Sequence, residues 1–443
     1  MSISSALSAG VSGLNAHSAR LAGISDNIAN SATYGYRRVV TEFEDIVLNG
    51  GAGSGAYTAG GVRASAGRAV NERGNLVGTE NALDISITGR GMLPMIDYTQ
   101  YKNGGTGTTS LLMTRTGGFA PDAEGIVRTS SGLVLMGWPA NRDGTIPTVM
   151  RDSASGLQPI VVSENDTYAE PTTRIGVGFN LPSQSTLGGS EVTSSSTSVE
   201  YFDNLGSSQS LRMTFTPTVG ADGSGRSNSW TMEIHDSAIT DDPATAADES
   251  LVGSYTLDFD DAPGGPLGAV TALTGGAYDP ATGDLTVNAA HGPITINIGT
   301  PGGEGLTQIA ADFAPTNVTK NGAGAGTLAA LEIDDNGYLR ATYDNGASRV
   351  LFQVPVVDVP NPNGLTALDN QTYRISSQSG AFFLWNAGDG PTGAITGYAR
   401  EGSTTDVAAE LTDLIQTQRA YSSNAKIIQT VDEMLQETTN LKR

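Results

Sequence analysis

At roughly 150 residues per domain, a chain of 443 residues has room for about three domains. Its 57 glycines, with 6% aromatic and 16% charged residues, suit β-rich domains with many tight turns. The lack of cysteine excludes disulfide staples, thiolate metal sites and a thiol nucleophile, and a formal charge of −22 repels phosphate backbones, so no nucleic-acid partner is expected.

The first residues, MSISSALSAGVSGLNAHSAR, have neither the basic start nor the unbroken apolar core of a cleaved signal peptide. No stretch reaches the 18 or so consecutive apolar residues of a membrane span, so direct membrane insertion is not expected. Leu7, Leu14, Leu21 and Ile28 fall seven apart, with Val11 between them. That spacing predicts a helix of about 27 residues, on the order of 40 Å long, with a coiled-coil-like stripe. His17 is placed on its polar face. The helix is expected to stop in ISDNIANSATYGYRR (24–38), where Asn, Ser, Thr and Gly cluster. The run NGGAGSGAYTAGG (49–61) then reads as a flexible joint.

Further along, the apolar period changes to two. Leu83, Ile85 and Ile87 alternate, as do Leu211, Met213 and Phe215; Trp230, Met232 and Ile234; Tyr255, Leu257 and Phe259; and Ile294, Ile296 and Ile298. Each run predicts a half-buried strand. Asn336-Gly337 and Asn345-Gly346 divide residues 331–354 into a three-stranded meander, with type I′ turns expected at both dipeptides. Its inward set is Leu331, Ile333, Leu339, Ala341, Tyr343, Val350, Phe352 and Val354. The Ser/Thr-rich stretch 183–198 and the Gly/Ala run 321–327 read as joints.

At the far end Val407, Leu414, Tyr421, Ile428 and Leu435 form a second heptad series, joined by Leu411, Ile415, Ala425 and Val431. Ser403 and Asp406 read as a capping box for a helix from Thr404 to Leu441. Nothing nearby in sequence covers either stripe. Docking of both on one globular body would account for the stripes, but not for their position at the two termini.

The fold class expected is mixed: terminal α-helices pairing as an α-helical coiled coil, plus two largely β domains of antiparallel, barrel-like sheets, the outer inserted into the inner. The boundaries are 1–30 and 404–443 for the helices, 31–70 and 397–403 for a connecting arm, 71–144 and 328–396 for the inner β domain, and 145–327 for the outer one.

Candidate chemistry is sparse. His17, His235 and His291 are scattered without metal-ligand spacing, the glycine runs lack the residues of a phosphate loop, and Asp260-Asp261 and Asp334-Asp335 lack calcium-loop spacing. No catalytic residue, metal or cofactor is assigned, and an enzyme is not expected.

SGLNAHSARLAGISDNIANSATYGYRR near the start and ELTDLIQTQRAYSSNAKIIQTVDEMLQETTNL near the end resemble the two signatures of the bacterial flagellar rod and hook protein family. ALDISITGRGMLPMID, LMTRTGGFAPDAEGIVRTSSGLVLMGWPA, EYFDNLGSSQSLRMTF and DDNGYLRATYDNG resemble hook-protein segments in the expected order, so the hook branch is favoured. Met92-Leu93-Pro94 departs from the Gly-Phe-Phe-like run usual there, as does the long Gly/Thr/Asp-rich stretch 220–325, and 235–325 is the least similar part. The resemblance implies a self-assembling subunit of the hook, a curved flexible tube that acts as a universal joint between motor and filament. It implies export through the flagellar type III apparatus without a cleaved signal peptide. Implied partners are further copies of the chain, the hook cap protein, the distal rod protein, the hook–filament junction protein and the hook-length control protein. The inner seam it implies sets Leu7, Val11, Leu14, Leu21 and Ile28 against Val407, Leu411, Leu414, Tyr421, Ile428 and Leu435. Asn27, Asn30, Thr33, Tyr34 and Gly35 match the turn out of the first helix. The alternatives are a distal rod or hook–filament junction protein and, from another class, a secreted β-rich adhesin.

Overall fold

The stripes at the two ends become helices Ile3–Ala29 and Val407–Leu441 in the computed structural model, which describes residues 3–46, 60–104, 111–163, 165–240 and 248–441. The joint expected at 49–61 lies outside the described residues except for its last two positions. The C-terminal helix starts three residues later than the sequence suggests. Asp406 Oδ1 accepts from the backbone N–H groups of Ala408 and Ala409 at 2.9 and 3.2 Å, so Asp406 is the N-cap, while Ser403 Oγ accepts only from Thr405 N–H.

The chain divides into two compact units. One comprises Met1–Glu164, Leu331–Ala341 and Arg349–Arg443; the other comprises Asn165–Ala330 and Thr342–Ser348.

In the first unit, strand Leu93–Asp97 runs between Leu112–Thr114 and Leu133–Pro139, antiparallel to both. Pro94 of the atypical Met92-Leu93-Pro94 run is accommodated here, opposite Met113. Strand Asp84–Thr88 pairs with Thr116–Pro121 and points Ile85 and Ile87 into the interior, as their alternation predicts. Met92, Ile96, Met113, Val134 and Trp138 form the centre of its core. Burying each of these side chains contributes on the order of 1.5–3 kcal/mol. A ribbon of Val39–Asp45 and Val62–Arg68 follows the first helix and lies against it. His17, expected to face solvent, is half-buried with Phe43 edge-on at 5.2 Å, because the ribbon covers that side of the helix. Burial, and then the neighbouring Arg20, hold its pKa below the ordinary value.

The second unit has two sheets. Strands Ser195–Phe202, Ser208–Pro217, Ser229–Asp236, Leu251–Phe259 and Leu267–Thr274 make an antiparallel meander in sequence order. The other sheet centres on Arg174–Pro182, which is antiparallel to Ala314–Lys320 but parallel to Gly292–Asn297 and Thr307–Ile309. The antiparallel sheets expected from the sequence are present, with these two parallel pairings as an addition. Parallel pairing needs a long return connection, and the whole meander supplies it. Phe179, Phe215 and Trp230 are fully enclosed in the shared core.

Two of the expected joints are ordered. Residues 323–327 belong to strand Ala323–Ile333, paired with Thr167–Glu170, and Thr327 N–H donates to Asp344 Oδ1 at 2.8 Å. The Ser/Thr-rich stretch ends inside strand Ser195–Phe202. The meander strands after position 323 form as Ala323–Ile333, Tyr338–Tyr343 and Ser348–Gln353, with Ile333, Leu339, Ala341, Tyr343 and Val354 buried and Leu331, Val350 and Phe352 half-buried. Its turns are not type I′. Only Gly337 and Gly346 take positive φ (81° and 82°), whereas Asn336 and Asn345 do not. At the first turn Asp334 Oδ1 gathers the N–H groups of Asn336 and Tyr338, which holds a longer loop in place of the two-residue turn.

Candidate assembly site: the helix pair and its root

The two terminal helices run antiparallel in contact. Asn27 Nδ2 donates to Glu410 Oε1 at 3.0 Å and Arg20 pairs with Asp413 at 3.3 Å. Further along, a Cβ added at Gly13 would stand 3.0 Å from Asn424, and one at Gly10 would stand 3.2 Å from Ile428. As one number falls the other rises. Small residues make this approach possible: Gly10, Gly13 and Ala16 are buried on the first helix. Opposite them, Glu410, Thr417 and Val431 are buried at heptad spacing.

The apolar heptad is less deeply covered, although Ile428 faces Gly10. Leu7, Leu14, Leu21, Ile28, Leu414 and Ile428 are half-buried, whereas Val11, Val407, Leu411, Tyr421 and Leu435 are exposed. Leu411, Ile415, Tyr421, Ile427, Met434 and Leu435 are each between 40% and 51% accessible. A helix shows little of this kind to water without a partner. The contact line between the helices was hidden in the sequence because Glu410, Thr417 and Asn424 are polar. A second heptad in register with the first was its only signal.

At the root of the pair, Asn27 is buried and uses both ends of its amide. Its Oδ1 accepts from Val39 N–H (2.7 Å) and the Tyr36 hydroxyl (3.1 Å), and its Nδ2 also donates to Val39 O (3.0 Å). Asn30 Nδ2 donates back to the backbone and carboxylate oxygens of Asp26, and the Thr33 hydroxyl donates to Asn30 Oδ1 at 3.3 Å. Gly35 turns the chain with φ +73°, and its N–H donates to Glu401 O at 2.7 Å. Tyr34 is exposed, with the Arg400 guanidinium over its ring at 4.3 Å. The structure thus brings Asn27, Asn30, Thr33 and Gly35 into one junction and leaves Tyr34 at its surface.

Beneath this junction lies a cluster that no spacing or motif in the chain reveals. Arg37 and Arg115 both bond Glu401 Oε2, at 2.7 and 3.1 Å, and all three side chains are nearly inaccessible. Glu401 Oε1 accepts from Gly74 N–H at 2.7 Å. The partners are 364 and 286 residues apart. Burial lowers the Arg115 pKa despite the carboxylate beside it. Burial likewise raises Glu410, and it pushes the Tyr36 hydroxyl up to about 12 with help from Asp26. The arrangement fastens and orients two helices; it holds no nucleophile or acid–base pair in an open cleft. Among the described residues no three His, Asp or Glu side chains converge as metal ligands, and no helix is long and apolar enough to cross a membrane.

Comparison with known proteins matches residues 7–37 to the family "Flagella basal body rod protein", 180–323 to "Flagellar basal body protein FlaE D2 domain", and 396–441 to "Flagellar basal body rod FlgEFG protein C-terminal". The Rhizobium meliloti flagellar hook protein FlgE is 32% identical over 100% of both chains. Salmonella typhimurium FlgE is 29% identical over 98% of both. The solved Helicobacter pylori flagellar hook protein FlgE2 aligns with 72% of this chain and 98% of its own, at 13% identity and a TM-score of 0.45.

Proposed function

Because the chain belongs to the flagellar hook protein family, and is therefore a structural subunit of the flagellar hook and not an enzyme, we propose that its terminal helices pair as a coiled coil and line the inside of a helical homopolymer. One observation carries this reading: the apolar side of the C-terminal helix, from Leu411 to Leu435, is left open by the N-terminal helix. Neighbouring copies cover it, with Leu7, Val11, Leu14, Leu21, Ile28, Val407, Leu411, Leu414, Tyr421, Ile428 and Leu435 divided between contacts within and between subunits. Asn27, Asn30, Thr33, Tyr34 and Gly35 set the angle at which the chain leaves the tube wall. Residues 145–327 form an outer domain inserted into an inner one.

The polymer is a curved tube that bends while transmitting torque. Its ends meet the distal rod protein and the hook–filament junction protein, and its growth involves the hook cap protein and the hook-length control protein. The subunit reaches the cell exterior through the flagellar type III export apparatus without cleavage of a signal peptide. Ile415→Asp with Tyr421→Asp places two charges on the open face and touches neither Asn27 nor Glu410. We expect the double variant to remain folded and fail to polymerise in electron micrographs and sedimentation. Normal tubes from it would overturn the reading.

A further inference from the structure

A cavity of about 300 Å³ in the first unit, remote in kind from the apolar helix face, is lined by Arg73, Arg90 and Arg115 together with Gly91, Met92 and Asp358. At roughly 30 Å³ per water, it has room for about ten waters or a small hydrated anion. Its charge is unbalanced. Arg90 is paired with Asp358 at 2.6 Å, and Arg37 and Arg115 share the one carboxylate of Glu401. Arg73 is exposed and makes no ion pair among the described residues. Counting Arg37 and Glu401, which adjoin the cavity through Arg115 without lining it, four guanidinium groups stand against two carboxylates, in a chain whose net charge is −22.

Two of those cations are buried, and Arg37 Nε and Nη1 have no hydrogen-bond partner among the described residues. A buried lysine or histidine could shed its proton, but a guanidinium stays charged in proteins. Burial without full pairing is costly, and an anion beside this arginine cluster would lower that cost. Arg115 gives such an anion a handle. It donates to Glu401 Oε2, Gly91 O and Ile87 O, which uses three of its five N–H groups and leaves one on each terminal nitrogen. Gly91 has φ +115°, and a Cβ there would stand 2.1 Å from Val356 Cγ1, so only glycine fits beside the guanidinium.

We propose that this cavity is an oxyanion site, taking a phosphate, sulfate or carboxylate group between Arg73 and Arg115, with Arg90 at its edge. The group is either a free ion or an Asp or Glu side chain of a second copy of the chain. The site does not depend on the helix reading above. Full-length chain is titrated calorimetrically with inorganic phosphate against chloride at constant ionic strength, with wild type, Arg73→Gln, Arg73→Lys and Arg226→Gln, the last an exposed arginine of the other unit. Circular dichroism checks the fold of each. Wild type and Arg226→Gln bind one phosphate saturably, Arg73→Gln binds about tenfold more weakly, and Arg73→Lys recovers part of the loss. Self-association by sedimentation velocity separates the sources. A free ion leaves association unchanged by phosphate or Arg73→Gln, whereas a carboxylate from a second copy makes both reduce it. Absence of saturable phosphate binding to wild type, or equal affinity in Arg73→Gln, overturns the proposal.

Discussion

The sheet core of residues 165–330 and the terminal helix pair use opposite arrangements of the same residue types. In the sheets Leu211, Met213, Phe215, Trp230, Met232 and Ile234 are all inside and the intervening Arg212, Thr214, Thr231 and Glu233 side chains are not. In the helix pair Glu410 and Thr417 are inside, and Leu411, Ile415 and Tyr421 are outside. A sheet face finds its cover within its own unit, so its pattern describes a finished fold. The helix stripe finds only part of its cover there, so its pattern describes a contact still to be made. Apolar periodicity thus reports burial, and the burying surface need not belong to the same molecule.

Substitutions can break or sharpen this contrast. Glu401→Ala should have the largest effect, about 3–5 kcal/mol, since it strands Arg37 and Arg115 as buried charges. Denaturant unfolding followed through Trp138 should move well ahead of the transition followed through Trp230; coincident transitions would show that the cluster does not anchor the first unit. Phe215→Ala leaves a cavity in the sheet core and should cost about 3–5 kcal/mol, or slightly less if neighbours close in. The Trp230 signal should report it while hydrogen exchange in the helices stays unchanged.

Asn27→Ala removes the amide that joins Val39, Tyr36 and Glu410, and about 1–3 kcal/mol should be lost at the root. Faster amide exchange at Val39 and in the first turns of the C-terminal helix is the readout. The smallest effect has the opposite sign. Burial holds the Glu410 carboxyl above its ordinary 4.5, so the folded pair binds that proton more readily than the unfolded chain. Its contribution is complete below the ordinary value and is lost as pH rises through the raised one. Glu410→Gln should therefore firm the pair slightly at pH 7. Glu72 works the other way, because Arg38 holds it low and acid removes its stabilisation. The difference between Glu410→Gln and wild-type melting curves across pH isolates the first effect.

Local patterns were legible where one side chain's fate depends on its near neighbours. The inward strand residues from Leu83 to Ile298 and both helices follow from spacing alone. What escaped depends on distant partners. Residues 321–327 look like a linker until Thr327 meets Asp344. The Asn-Gly turns look like type I′ until the Asp334 carboxylate takes up the amides around it. Glu401 looks like one more surface acid, and only folding sets it between two arginines from far upstream. The helix contact line escaped for a different reason. Periodicity finds apolar residues, and this line is built largely from glycine, alanine and polar side chains.

The bond between Asn27 and Glu410 spans 383 positions. A ribosome makes the first helix and its ribbon early and the companion helix several hundred residues later, so the line of Gly10, Gly13 and Ala16 waits for its partner in the interval. By the loop-closure argument, so distant a contact is also slow to find. A chain halted anywhere before position 410 therefore has no means of completing the fastening at the root.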